Sequence, residues 1–288
     1  MKFTKTQALG NDFIIVEEKD VPAQDLSFRD LSLKVCNRRY GIGADGMLLL
    51  FPHVTKRGAY FLRVFNSDGT EAETSGNGLR CSAAYLFHRN LIKSPKVEIT
   101  TQAGWCQLEL ISHQLHRFSF LADMGLPLLS PGAIPFQAPI GMERVINYSL
   151  PLGDSSIPVT VLSLGNPHCV LFFDSLADLP IEELGSVIET HSLFPNRTNV
   201  EFVQILNKEE IAVVFWERGV GETISSGSGA SAAAAAAIIQ GLVGNSLTIH
   251  TAGGDVLIDW KEGESLFLTG PAEIVYDGTF PDVIEKTS

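Results

Sequence analysis

Ser226-Gly227-Ser228-Gly229-Ala230-Ser231, followed by alanine at every position from Ala232 to Ala237 and then by Ile238-Ile239, is the stretch on which the fold turns. Alanine is the best helix former, and serine is a favoured cap, so the run predicts a helix opening at the glycine-flanked serine. For over two turns that helix carries no large side chain and therefore no amphipathic stripe wide enough to anchor it on a surface. A rod this thin is one that strands can close around. The expected packing is a barrel-like curved sheet wrapped about a central helix.

The same pattern stands in the first half of the chain. Phe61-Leu62-Arg63-Val64-Phe65-Asn66 leads through Glu71 to Ser75-Gly76-Asn77-Gly78 and then Ala83-Ala84, just as Ala212-Val213-Val214-Phe215-Trp216-Glu217 leads through Glu222 to Ser226-Gly227-Ser228-Gly229 and Ala234-Ala235. Leu9-Gly10-Asn11 before an apolar strand is matched by Leu164-Gly165-Asn166, and Thr101-Gln102-Ala103-Gly104 by Thr251-Ala252-Gly253-Gly254. Three collinear matches at nearly one offset read as an internal duplication. The expected class is α/β of the α+β type: two pseudo-symmetric domains, each built of short strands joined by turns with one helix after each Ser-Gly-x-Gly. The first domain is read as 1–124, with a C-terminal segment 276–288 packing on it, and the second as 125–275. The boundary falls near Asp123 to Pro127.

Composition narrows the function. With 45% hydrophobic and 19% charged residues, the chain of 288 residues is globular rather than disordered or fibrous. Lys+Arg 21 against Asp+Glu 33 leaves a net charge of −12, which argues against nucleic acid or an anionic membrane as partner. Met1 to Lys5 runs into polar Gln7 with no apolar leader, and the longest apolar run, Ala232 to Ile239, is too short to span a bilayer, so a cytoplasmic protein is expected. Cys36, Cys81, Cys106 and Cys169 lack metal or disulfide spacing and read as reduced thiols.

A strand, a glycine turn and a helix N-terminus gather backbone N–H groups around one point, with the positive end of the helix dipole behind them. Such a point takes an anion. Gly76 and Gly78, like Gly227 and Gly229, are read as clearing a ligand's approach to those amides. Ser75 and Ser226 stand at matching positions beside them. If the two hydroxyls approach one bound molecule from opposite sides, the arrangement suits taking a proton from one face of a carbon and returning it on the other. Arg218, next to Glu217, is a natural bidentate partner for a carboxylate.

Gly10-Asn11-Asp12-Phe13, Gly41-Ile42-Gly43-Ala44-Asp45-Gly46, Asn66-Ser67-Asp68-Gly69-Thr70-Glu71, Gly76-Asn77-Gly78-Leu79-Arg80-Cys81, Gly165-Asn166-Pro167-His168-Cys169 and Glu217-Arg218-Gly219-Val220-Gly221-Glu222-Thr223 together resemble the bacterial diaminopimelate epimerases. The match runs in order from Lys2 to about Gly278. It implies a strand-wrapped central helix in each domain, an active site in the cleft between the domains, no metal and no pyridoxal phosphate. The implied reaction is interconversion of LL- and meso-diaminopimelate, a small-molecule step towards lysine and peptidoglycan, and the resemblance allows a homodimer. In that family two cysteines serve as base and acid. Ser75 and Ser226 stand at their positions here, and Ser231 at that of a further cysteine.

A serine hydroxyl is far less acidic than a thiol and needs an adjacent base. By resemblance His168 is assigned to Ser75 and Glu217 to Ser226. Asn11, Asn66, Asn166 and Asn199 match the asparagines that bind the substrate's ammonium and carboxylate groups, and Glu217 with Arg218 match the pair that grips its distal end. Gly76, Asn77, Gly227 and Ser228 supply N–H groups to the reacting carboxylate. The competing expectation is a homologue, or a double cysteine-to-serine variant, that binds the amino acid without epimerising it.

Overall fold

The computed structural model describes residues 1–21, 26–53 and 58–281. It divides into two compact units, an N-terminal one of Met1–Ala122 with Gly270–Ser288 and a C-terminal one of Asp123–Thr269. Of the tail expected to pack on the first half, residues 282–288 lie outside the described residues.

The chain runs through β1 (Lys2–Ala8), β2 (Asn11–Glu17), α1 (Phe28–Cys36), β3 (Gly46–Pro52), β4 (Ala59–Asn66), the short β5 (Glu71–Ala72), α2 (Gly76–His88), β6 (Lys96–Thr101), β7 (Gly104–Gln114) and β8 (Arg117–Asp123). It continues through β9 (Val145–Leu152), β10 (Ser155–Ser163), β11 (Pro167–Phe173), α3 (Ile181–Glu189), β12 (Asn199–Ile205), β13 (Glu210–Glu217), β14 (Gly221–Thr223), α4 (Gly227–Ile239), β15 (Ser246–Thr251), β16 (Gly254–Asp259) and β17 (Phe267–Thr279).

In the N-terminal unit the strands close on themselves. β1 pairs with β2, β2 with β3, β3 with β4, β4 with β6, β6 with β7 and β7 with β8, and β17 joins β8 back to β1. The C-terminal unit repeats the order as β9, β10, β11, β12, β13, β15, β16 and the first residues of β17. Its remaining seam is filled by the chain after β8, where Met124 N–H donates to Leu266 O (2.8 Å) and Leu128 exchanges two hydrogen bonds with Ser163.

Each unit has two parallel pairings, β2 with β3 and β4 with β6 in one, β11 with β12 and β13 with β15 in the other. Parallel neighbours need a crossover, usually a helix. The sequence reading expected one helix per half, after each Ser-Gly-x-Gly; among the described residues each unit has a second α-helix, α1 or α3, which carries the other crossover. α1 lies over β2, β3 and β4, with Leu31 and Val35 packed on Ile14, Val16, Met47 and Leu49. With α2 against the same strands, both faces are covered, and Met47 to Leu50 are all fully buried.

The alanine helix is enclosed as expected. Ala230 to Ala237 are buried throughout, and α4 touches β10, β11, β12, β13, β15 and β16. The paired Thr-x-x-Gly strings are hairpin turns, with Thr101 opposite Gly104 and Thr251 opposite Gly254, each threonine hydroxyl donating to the glycine carbonyl.

Candidate functional site

In the N-terminal unit Ser75 ends the chain's approach to α2 in an extended conformation, and its Oγ accepts from Gly78 N–H at 3.1 Å. Ser226 does the same for α4, accepting from Gly229 N–H at 3.3 Å. Both serines are half-buried helix caps. Gly76 and Asn77 open one helix, and Gly227 and Ser228 the other. The first N–H groups of a helix have no acceptor within it, so each cap presents donors outward.

The glycines one turn in also meet the barrel wall. A Cβ on Gly78 would stand 3.1 Å from Leu48, and one on Gly229 would stand 2.8 Å from Phe215 and 3.0 Å from Glu201. Close packing against the barrel wall favours glycine at both positions, most tightly at Gly229.

Beside Ser75, Asn77 donates from Nδ2 to Asn11 Oδ1 at 3.3 Å, and Asn11 donates to Asp45 Oδ2 at 2.8 Å. Behind them the guanidinium of Arg80, fully buried, binds Asn77 Oδ1 and Pro271 O. Burial pushes the Arg80 guanidinium down to about 10. Asp12 is held by Lys5 and Arg38, which hold its carboxyl well below the usual carboxylate range against the opposing effect of burial. Asn66 is exposed and bonds Thr70 Oγ1 at 2.9 Å.

The C-terminal unit assembles more of the assigned residues. His168 is fully buried; its Nδ1 lies 2.7 Å from Glu201 Oε1 and its Nε2 lies 2.9 Å from Asn166 Oδ1. Asn199 donates to Pro167 O at 2.9 Å and accepts the backbone N–H of Arg218 at 3.0 Å, so one amide ties β11 to the turn after β13. Arg218 is exposed, with one guanidinium nitrogen on Asn196 O. Glu217 accepts from Thr223 Oγ1 at 2.7 Å. Burial pushes the Glu217 carboxyl up, opposed by the Thr223 hydrogen bond and by His168.

Glu201 is the residue that the sequence reading missed. It sits in Asn199-Val200-Glu201-Phe202-Val203, where a strand's alternation places it on the face of Asn199, but only the parallel pairing of β11 with β12 brings it to His168. Burial raises its carboxyl, with His168 acting the other way. Among the described residues, no cluster of three or more His, Cys, Asp or Glu has metal-holding geometry, and no helix is long and apolar enough to cross a membrane.

The sequence profile of diaminopimelate epimerase matches residues 3–127 and 160–275. A diaminopimelate epimerase of Pelotomaculum thermopropionicum is 42% identical over 281 residues, 98% of this chain and 99% of that protein. Another, of Carboxydothermus hydrogenoformans, is 41% identical, covering 97% of this chain and 99% of its own. Among solved structures, an epimerase assigned by prediction from Pseudomonas aeruginosa superposes with a TM-score of 0.69 at 14% identity, over 98% of this chain and 99% of that one. A hydroxyproline epimerase from Agrobacterium vitis, crystallised with trans-4-hydroxy-L-proline, superposes at 0.64 and 15% identity, over 96% and 91%. The last two likenesses establish the fold of paired barrels around central helices. The profile and the two full-length relatives go further: this chain belongs to the diaminopimelate epimerase family.

Proposed function

We propose that the chain is a cofactor-independent amino-acid epimerase that interconverts LL- and meso-diaminopimelate, removing the α-proton from one face of the carbon and returning a proton to the other. The observation that carries this reading is the match of 42% identity along nearly the whole of a protein described as diaminopimelate epimerase. In this assignment the N–H groups of Gly76, Asn77, Gly227 and Ser228 take the reacting carboxylate. Asn11, Asn66, Asn166 and Asn199 hold the ammonium and carboxylate groups, and Glu217 with Arg218 hold the distal end. An amide side chain offers both a donor and an acceptor, which suits a zwitterion.

Ser75 and Ser226 are the groups assigned to proton removal and return, at the positions where the family resemblance places cysteines. Their hydroxyls need a base, and His168 and Glu217 are assigned to supply it. The upward displacement of the Glu217 carboxyl brings it nearer the range in which a general base or acid works at neutral pH, which supports that role. With oxygen in place of sulfur, turnover is slow.

The test is incubation with LL-diaminopimelate in D₂O, following α-deuterium incorporation and inversion, with calorimetry of binding in parallel. Exchange with inversion is the expected result. Binding without exchange means that the pocket holds the amino acid but does not turn it over. Absence of binding overturns the assignment.

A further inference from the structure

The two units offer an internal comparison at the first turn of the central helix. In the N-terminal unit the wall beneath Gly78 is Leu48, and β2 contributes Phe13, paired in register with Gly46. In the C-terminal unit the equivalent wall beneath Gly229 is Glu201, and β11 contributes His168, paired in register with Asn199. The fold is therefore complete with two apolar side chains at this place. A charged pair there is not required by packing.

Its cost is visible. His168 and Glu201 are 0% and 1% exposed. Oε2 of Glu201 is buried with no hydrogen-bond partner, and a buried polar atom left unpaired is destabilising. A group that the scaffold can replace by leucine, retained at such a cost, marks a functional position.

We propose that Glu201 is a positioning residue for proton transfer, fixing the His168 ring through Nδ1 so that Nε2 is the atom presented for proton transfer. Nδ1 lies 2.7 Å from Glu201 Oε1 and Nε2 lies 2.9 Å from Asn166 Oδ1, and a hydrogen bond from Nδ1–H to the carboxyl group sets both the orientation of the ring and its tautomer. The neighbouring titratable groups are Glu217 on β13, whose charge bears on both members of the pair, and Cys169 on β11, whose thiol burial holds protonated. Glu201 acts only through His168 and is assigned no contact with substrate. The catalytic consequence rests on the function proposed above, whereas the state of the ring does not.

Glu201→Gln is the near-isosteric test, with a circular-dichroism melt to confirm folding. The side-chain ¹⁵N shifts of His168, assigned by comparison with His168→Phe, show which ring nitrogen carries hydrogen. In the unsubstituted protein Nδ1 is expected to carry it, and in Glu201→Gln that preference is expected to weaken. Deuterium exchange into LL-diaminopimelate should fall at least 100-fold in Glu201→Gln with KM nearly unchanged. Unchanged His168 shifts in Glu201→Gln overturn the proposal. If that variant does not fold, the unsubstituted spectrum decides: a ring with no hydrogen on Nδ1 overturns the proposal, and one with hydrogen on Nδ1 supports it. A protein that shows no exchange but displays the expected ring shifts leaves the positioning role standing and counts against the proposed function alone.

Discussion

The two central helices occupy equivalent places in equivalent barrels, yet they are built differently. α2 carries Leu79, Arg80, Tyr85 and Leu86 as buried side chains, whereas α4 is alanine throughout its buried middle. The walls differ as well, with Phe13 and Leu48 in one unit where His168 and Glu201 stand in the other. One architecture thus solves the packing of its interior twice. What it holds fixed is the cap: Ser75 and Ser226 each accept from the N–H three residues on. The difference teaches that the barrel constrains total volume, while the capped helix end is the part repeated without change.

The largest expected effect comes from forcing one helix to carry the other's side chain. Ala236 is the counterpart of Tyr85, and it is fully buried. Tyr85 is accommodated because its hydroxyl reaches Glu17 at 2.6 Å. Ala236→Tyr has no such outlet and should cost about 3 kcal/mol or more from overpacking, read as a drop in the urea midpoint. An unchanged midpoint would mean that the C-terminal barrel expands freely, and the volume constraint would fall.

Next comes the chemistry at the repeated caps. Ser75→Cys with Ser226→Cys should raise deuterium exchange into diaminopimelate about 100-fold or more, equivalent to about 2.7 kcal/mol of barrier. Each single replacement should leave the other serine limiting and recover only a small part of that gain. A single replacement as fast as the double would show that one unit alone controls the rate.

The smallest effect concerns the walls. Exchanging the C-terminal pair for its N-terminal counterpart, His168→Phe with Glu201→Leu, should leave stability unchanged or raise it slightly, as buried ion pairs often give way to apolar ones without loss. Because burial raises the Glu201 carboxyl, its contribution is fully present below the unfolded carboxylate value near 4.3 and is lost as pH rises through the folded value. Melts between pH 4 and 8 should therefore slope less in the exchanged chain than in the original. Equal slopes would place the pH dependence elsewhere.

Much of this molecule is legible locally. The hairpin turns at Thr101 and Thr251, the serine caps and the alanine rod follow from the chemistry of a few adjacent residues. α1 also left a signal that went unread: Ser27 accepts from Asp30 N–H and donates to its carboxylate, a reciprocal cap before Leu31 and Val35. α3 begins at Pro180 with no side-chain cap, so only the acidic Glu182 and Glu183 marked its start. Glu201 could not be found from its own neighbourhood. In Asn199-Val200-Glu201-Phe202 it is an ordinary strand residue, and its meaning arises from a strand pairing that no local pattern states.

The last strand has a consequence for how the protein is made. β17 supplies three residues to the C-terminal sheet, then runs on to pair Glu273 to Thr279 with β1, setting Lys2 opposite Thr279. The first barrel therefore lacks one stave until the whole of the C-terminal unit has been synthesised. Its opening strands must wait, edges unpaired, through the synthesis of everything between. A chain stopped short of Gly270 would carry that open seam permanently, an unpaired edge of the kind that templates aggregation.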